Sequence, residues 1–198
     1  MMVINEKRVF FRFSMILIII LILGSFCLAG ENPPLPRLEK PIFVTSCGQS
    51  PDYGVVDLLG RRSAGLEIIA NPTAEPDDIG GFKTLIIVIG GSGKGLGAAG
   101  IDVPEELKRV EELIKKAKEE GIFILGMHLG GADRRGPVSE QFVPFATKVD
   151  YLIVREDGNK DGYFTKVAEE LKIPLFLIIK NVELVEILKE IFEDGKTE

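Results

Sequence analysis

From Pro41 onward, short apolar runs alternate with amphipathic stretches. Residues 42–45, 66–70, 84–89, 122–127, 149–155 and 175–180 are nearly continuous apolar runs. Runs of this length, without polar alternation, predict strands covered on both faces. The segments between them carry helical spacing. Residues 103–120 are the clearest, with Leu107, Val110, Ile114 and Ala117 recurring every three or four positions. Asp102 and Glu105 have capping-box spacing at its start, and Gly121 is placed to end it. Residues 51–64 predict a second helix, with Ser50 as N-cap and Val55, Val56, Leu58 and Leu59 inward. Residues 138–148, interrupted near Pro144, are a short third helix. Residues 161–172, with Phe164, Val167, Ala168 and Leu171 inward, and 182–192 complete the set. Residues 71–82 read as an acidic loop with one short helical turn, and 90–97 as a glycine-rich loop.

Strands and helices in alternation, with strands apolar throughout, predict an α/β three-layer sandwich. Its sheet is mostly parallel and doubly wound, flavodoxin-like or Rossmann-like. One domain spans residues 41–195, with no internal repeat.

The chain ahead of that domain has a different pattern. Lys7, Arg8 and Arg12 precede an unbroken apolar run at 15–23, and the small residues Cys27 and Ala29 follow. This order predicts, for residues 1–29, a secretory signal cut after Ala29 or a retained N-terminal membrane anchor. Either reading places the body outside the cytoplasm, periplasmic or extracellular, and touching a membrane only through this segment. Residues 30–40, with Pro33, Pro34 and Pro36, read as an extended Pro-rich linker.

Composition narrows the chemistry. The chain of 198 residues has net charge −6, and the body after residue 29 has net charge −8. An acidic body without Trp lacks the basic face and stacking platforms of a nucleic-acid binder. One His and two Cys exclude a His-rich or four-cysteine zinc site, and the body keeps the single thiol of Cys47. No metal site and no cofactor are implied, and the oligomeric state stays open.

In an open parallel sheet, ligands bind at the carboxyl ends of the strands. The polar segments 45–52, 90–97, 128–135 and 156–162 all fall there. They hold the body's one thiol, Cys47, and the sole imidazole, His128. Cys47, just before a helix start, is a candidate nucleophile with His128 as its base. The segments also offer Gln49, Ser50, Gly91, Ser92, Lys94, Arg134, Asn159 and Asp161 as contacts to a small polar or anionic ligand. The glycine-rich loop fails the Walker pattern, because Val88 and Gly95 stand where a Gly and a Ser or Thr are required. Its amides still suit an anion. Residues 157–162 match the first half of a calcium loop, but Ala168 occupies the position of the closing Glu. Three readings follow: a ligand-binding domain, a thiol-dependent hydrolase or transferase, and a membrane-tethered protein-interaction module.

Four stretches go further than composition. They are Thr45-Ser46-Cys47-Gly48-Gln49-Ser50-Pro51, Gly90 through Asp102, Gly126-Met127-His128-Leu129-Gly130-Gly131, and Gly158-Asn159-Lys160-Asp161-Gly162. Together they resemble an uncharacterised family of bacterial α/β domains of unknown function. The resemblance covers about 41–195 and implies an exported protein of this size, with no reaction assigned.

Overall fold

The computed structural model describes residues 32–193. The predicted signal or anchor at 1–29 lies outside the described residues. Six parallel strands form one sheet: β1 Ile42–Cys47, β2 Ile68–Ala70, β3 Thr84–Ile89, β4 Phe123–His128, β5 Tyr151–Arg155 and β6 Leu175–Ile178. Their order is β2-β1-β3-β4-β5-β6, with Cys47 beside Ile89 and His128 beside Val154. That order is the flavodoxin-like winding, not the Rossmann one. Every residue of β1 and β3 is buried, as continuous apolar runs require.

The helices are α1 Tyr53–Leu58, α2 Gly93–Ala99, α3 Val103–Glu119, α4 Tyr163–Leu171 and α5 Leu184–Ile191. On one face of the sheet, Val110, Leu113, Ile114 and Ala117 of α3 join Phe164 and Val167 of α4 and Phe142. On the other face, Val56 of α1 joins Leu184, Ile187, Leu188 and Ile191 of α5. The two cores make the three layers.

Several predicted boundaries move. The helix expected at 51–64 is α1 continued by a wider π turn over Leu59–Ser63, and its first helical residue follows Asp52, not Ser50. Leu58 and Leu171, placed inward by spacing, are each 50% exposed. Residues 138–148 form two 3-10 turns, Ser139–Gln141 and Val143–Lys148, with Pro144 opening the second. The glycine-rich segment contains α2, which the pattern did not predict. Ser92 caps it, accepting the Gly95 amide at 3.1 Å, and Gly100 ends it in the left-handed region.

The extended spacer is also corrected, because residues 32–40 lie on the domain. Asn32 forms a two-point pairing with Leu177 on β6, donating to its carbonyl at 3.0 Å and accepting its amide at 2.7 Å. Tyr151 donates to the Pro34 carbonyl at 3.2 Å, and burial pushes its phenol up to about 12. Leu38 donates to the Ile191 carbonyl at 2.9 Å, and Leu35 and Leu38 pack on the second core. Apolar side chains and available carbonyls hold the prolines against the body.

Candidate functional site

The chain leaves β1 toward α1 on one face and β3 toward α2 and α3 on the other. The two strands are neighbours, so their carboxyl ends part into a crevice. An open groove of about 860 Å³ lies there, bordered by Gln49, Tyr53, Thr73, Ser92, Lys94 and Arg134. Its size is within the range of small-molecule sites, roughly 300–1,000 Å³. Of the predicted contact residues, Gln49, Gly91, Ser92, Lys94 and Arg134 line it.

The groove floor is built by two crossed loops. Gly48, at φ +101°, and Gln49, at φ +55°, turn the chain out of β1. A Cβ at Gly48 would lie 2.8 Å from both the Gly90 oxygen and the Gly91 Cα, so only glycine fits. Gly90 donates to the Cys47 carbonyl at 2.9 Å and Ser92 to the Gly48 carbonyl at 2.8 Å. Ser139 then holds Gly91 from both sides, accepting its amide at 2.9 Å and donating to its carbonyl at 3.0 Å. The amides of Gly90, Gly91, Ser92 and Gly95 are therefore all committed inside the protein. A phosphate cradle made of those four amides is excluded, and the side chains of Ser92, Lys94 and Arg134 border the groove.

A buried ion pair fixes the groove's back wall. Glu106 is 0% exposed and Arg109 7%. Arg109 Nε donates to Glu106 Oε2 at 2.7 Å, and its Nη groups reach the carbonyls of Ala74 at 2.6 Å and Ser46 at 2.7 Å. Glu106 Oε1 accepts the Gly48 amide at 2.8 Å and the Gln49 side chain at 3.2 Å. Gln49 also donates to the Pro72 carbonyl at 2.8 Å, so its amide acts as a brace within the wall. Sequence spacing missed this pair, although Leu107, which it placed inward, does pack against the first core. Ser139 was missed too, having no motif around it.

Two cations border the groove. Lys94, exposed on the first turn of α2, makes no ion pair among the described residues. Arg134 Nε donates to Asp52 Oδ2 at 3.2 Å, which leaves its Nη donors for another acceptor. Ser50, predicted as a ligand contact, is fully buried and donates to the same Asp52 oxygen at 2.6 Å. Its hydroxyl orients Asp52, and Asp52 orients Arg134.

The predicted nucleophile–base pair does not assemble. Cys47 and His128 stand on strands separated by β3, about 10 Å apart on strand spacing alone. Cys47 is 0% exposed, its Sγ lying 4.0 Å from the Phe142 carbonyl. Burial, and then the Glu106 carboxylate, push its thiol well above the ordinary range. The thiol packs as a small apolar group. His128 is also 0% exposed. Its Nδ1 lies 3.0 Å from the Ile89 carbonyl and Nε2 3.3 Å from the Gly131 carbonyl. Burial lowers its pKa despite both carbonyls, and its ring packs 5.0 Å from Phe164.

Asn159 and Asp161 do not line the groove. Asn159 Oδ1 accepts the Phe164 amide at 2.9 Å, capping α4. Asp161 accepts the Tyr163 amide at 3.2 Å and pairs with Arg135 at 2.7 Å. Asp157 pairs with Arg155 at 2.6 Å. The half calcium loop thus turns its carboxylates onto arginines.

A flavodoxin-like α/β domain with a groove at its winding reversal is the class these features define. The chain belongs to the family described as Domain of unknown function (DUF6305), whose model matches residues 39–192. No curated protein matches it. Among solved structures it is similar to the psychrotrophic esterase EstA from Pseudoalteromonas sp., at 14% identity and TM-score 0.32, covering 75% of this chain and 92% of that one. A protein assigned to the G-D-S-L lipolytic family from Desulfitobacterium hafniense DCB-2 matches at 13% identity and TM-score 0.33, covering 68% and 76%. AlinE4, an SGNH-hydrolase family esterase, matches at 12% identity and TM-score 0.31, covering 81% and 86%. Likeness at this level carries nothing about activity.

Proposed function

We propose that this protein binds a small anionic ligand in the groove between the carboxyl ends of β1 and β3. We further propose that it does so outside the cytoplasm, as the basic and apolar order of residues 1–29 suggests. The observation that carries the reading is the pairing, in one groove, of Lys94 with an Arg134 already oriented by Asp52. Lys94, together with the remaining Nη donors of an Arg134 whose charge Asp52 partly offsets, makes a locally positive spot on a body of net charge −8. Ser92 and Tyr53 add hydroxyls that fix orientation. A thiol-dependent hydrolase is not supported, because Cys47 is fully buried, burial favours its neutral thiol, and β3 separates it from His128.

Thermal unfolding against sulfate, phosphate, small carboxylates and nucleotides tests the proposal. A ligand at a hundredfold excess over its Kd raises Tm by about 5–10 °C in a domain of this size. Lys94→Ala removes most of that rise. If no member of the panel shifts Tm, or Lys94→Ala leaves the shift unchanged, the groove is not an anion site.

A further inference from the structure

His128 joins the two segments that border the groove, and this deepens the anion-site reading on which it rests. Ile89, whose carbonyl faces Nδ1, is the last residue of β3 and leads into Gly90 and Gly91. Gly131, whose carbonyl faces Nε2, opens the 3-10 turn Gly131–Arg134 that carries Arg134 into the groove. Both carbonyls only accept, and a neutral imidazole has one N–H. The neutral ring therefore satisfies one carbonyl and sets a lone pair against the other. The imidazolium donates to both. Gly158 closes over the ring, since a Cβ there would lie 2.7 Å from Nε2, so the imidazole cannot swing away.

We propose that His128 is a positioning residue for the groove, and that its protonation tightens the Arg134 turn and raises affinity for an anion. Of the charged groups around the ring, Arg135 opposes the imidazolium and Asp52 favours it. On the neighbouring elements, Arg155 is neutralised by Asp157, Arg135 is shared between Glu140 and Asp161, and Arg134 is held by Asp52. Tyr163, beside Phe164, has its phenol shifted upward by burial and stays neutral. An anion held by Lys94 and Arg134 adds negative charge on the Arg134 side and favours the imidazolium. By linkage, protonation must then favour the anion by the same factor.

His128 is the only His of the chain, so one imidazole resonance reports it. Sulfate is the probe, because its charge is constant between pH 5 and 8, as are those of Lys94 and Arg134. In the full-length protein without sulfate, the resonance titrates below the ordinary value of about 6.5. Saturating sulfate moves the midpoint upward by about 0.7, and sulfate affinity rises from pH 7.5 to 5.5 by up to about fivefold, the full factor being reached only below the unliganded midpoint. In folded His128→Asn that rise disappears, while Lys94→Ala abolishes binding at both pH values. An unmoved midpoint with sulfate bound overturns the proposal and leaves the groove reading intact. So does an equal affinity rise in His128→Asn. No sulfate binding at any pH overturns both.

Discussion

The rim of the sheet carries two ion-pair clusters that differ in burial. In the first, Glu106 and Arg109 are sealed between α3 and the β1 loop, with side chains 0% and 6% exposed. In the second, Arg135 is 14% exposed, but its partners Glu140 and Asp161 are 45% and 55% exposed. Water screens the second cluster and not the first, so similar distances carry different energies. The buried pair also satisfies main-chain groups of Ser46, Gly48 and Ala74, and so defines the groove wall. The exposed cluster ties the β4–β5 connection to the β5–α4 loop, through Asp161 and the Gly158 carbonyl. Lys94, which borders the groove, makes no ion pair among the described residues.

The sharpest test of this contrast is Arg109→Ala, which strands a buried carboxylate. It should lower unfolding free energy by about 3–5 kcal/mol in urea titration. Replacing both partners, Glu106→Leu with Arg109→Met, should recover much of that loss. Gly48→Ala, on the same wall, should remove about 1–3 kcal/mol through its positive φ and the approach of Gly90. Arg135→Ala should weaken the fold by about 1 kcal/mol or less after solvent screening. A loss there equal to that of Arg109→Ala would break the comparison. Acid titration sharpens the exposed cluster further. Arg155 beside Asp157 and Arg135 beside Asp161 hold those carboxyls below their ordinary range. Their stabilisation is thus full above about pH 4 and is lost as pH falls through the lowered values. Arg135→Ala should shrink the Asp161 share of that acid-limb slope. Lys94→Ala should change stability by less than about 0.5 kcal/mol while removing the anion-induced Tm rise.

Much of this architecture is legible from residue order, for physical reasons. Thr84–Ile89 is an apolar run of six that fits only a strand covered on both faces. Asp102 and Glu105 form the predicted capping box of α3. The sole His and the body's thiol do fall at strand ends. What spacing could not show is inward direction at the rim. Glu106 is buried because Gly48 and Gln49 offer it donors, contacts that arise only when distant segments meet. Helix α2 was hidden by its glycines, which resist helix formation; its signals were Ser92, Leu96 and Gly100, a cap, an anchor and a stop. Residues 32–40 misled through proline content, which reports stiffness but not whether a neighbouring surface captures the chain.

That captured segment has a mechanical consequence. Asn32 grips the β6 main chain, and the segment behind it is fastened in turn to Tyr151, Ile191 and Thr84. A pull applied at Asn32 would load these attachments in series, beginning with the main chain of the edge strand β6. Each can yield separately, letting out chain while the hydrogen bonds between β1, β3 and β4 stay unloaded. Chain released in such steps would be let out before the load reached the carboxyl ends of β1 and β3, which border the groove.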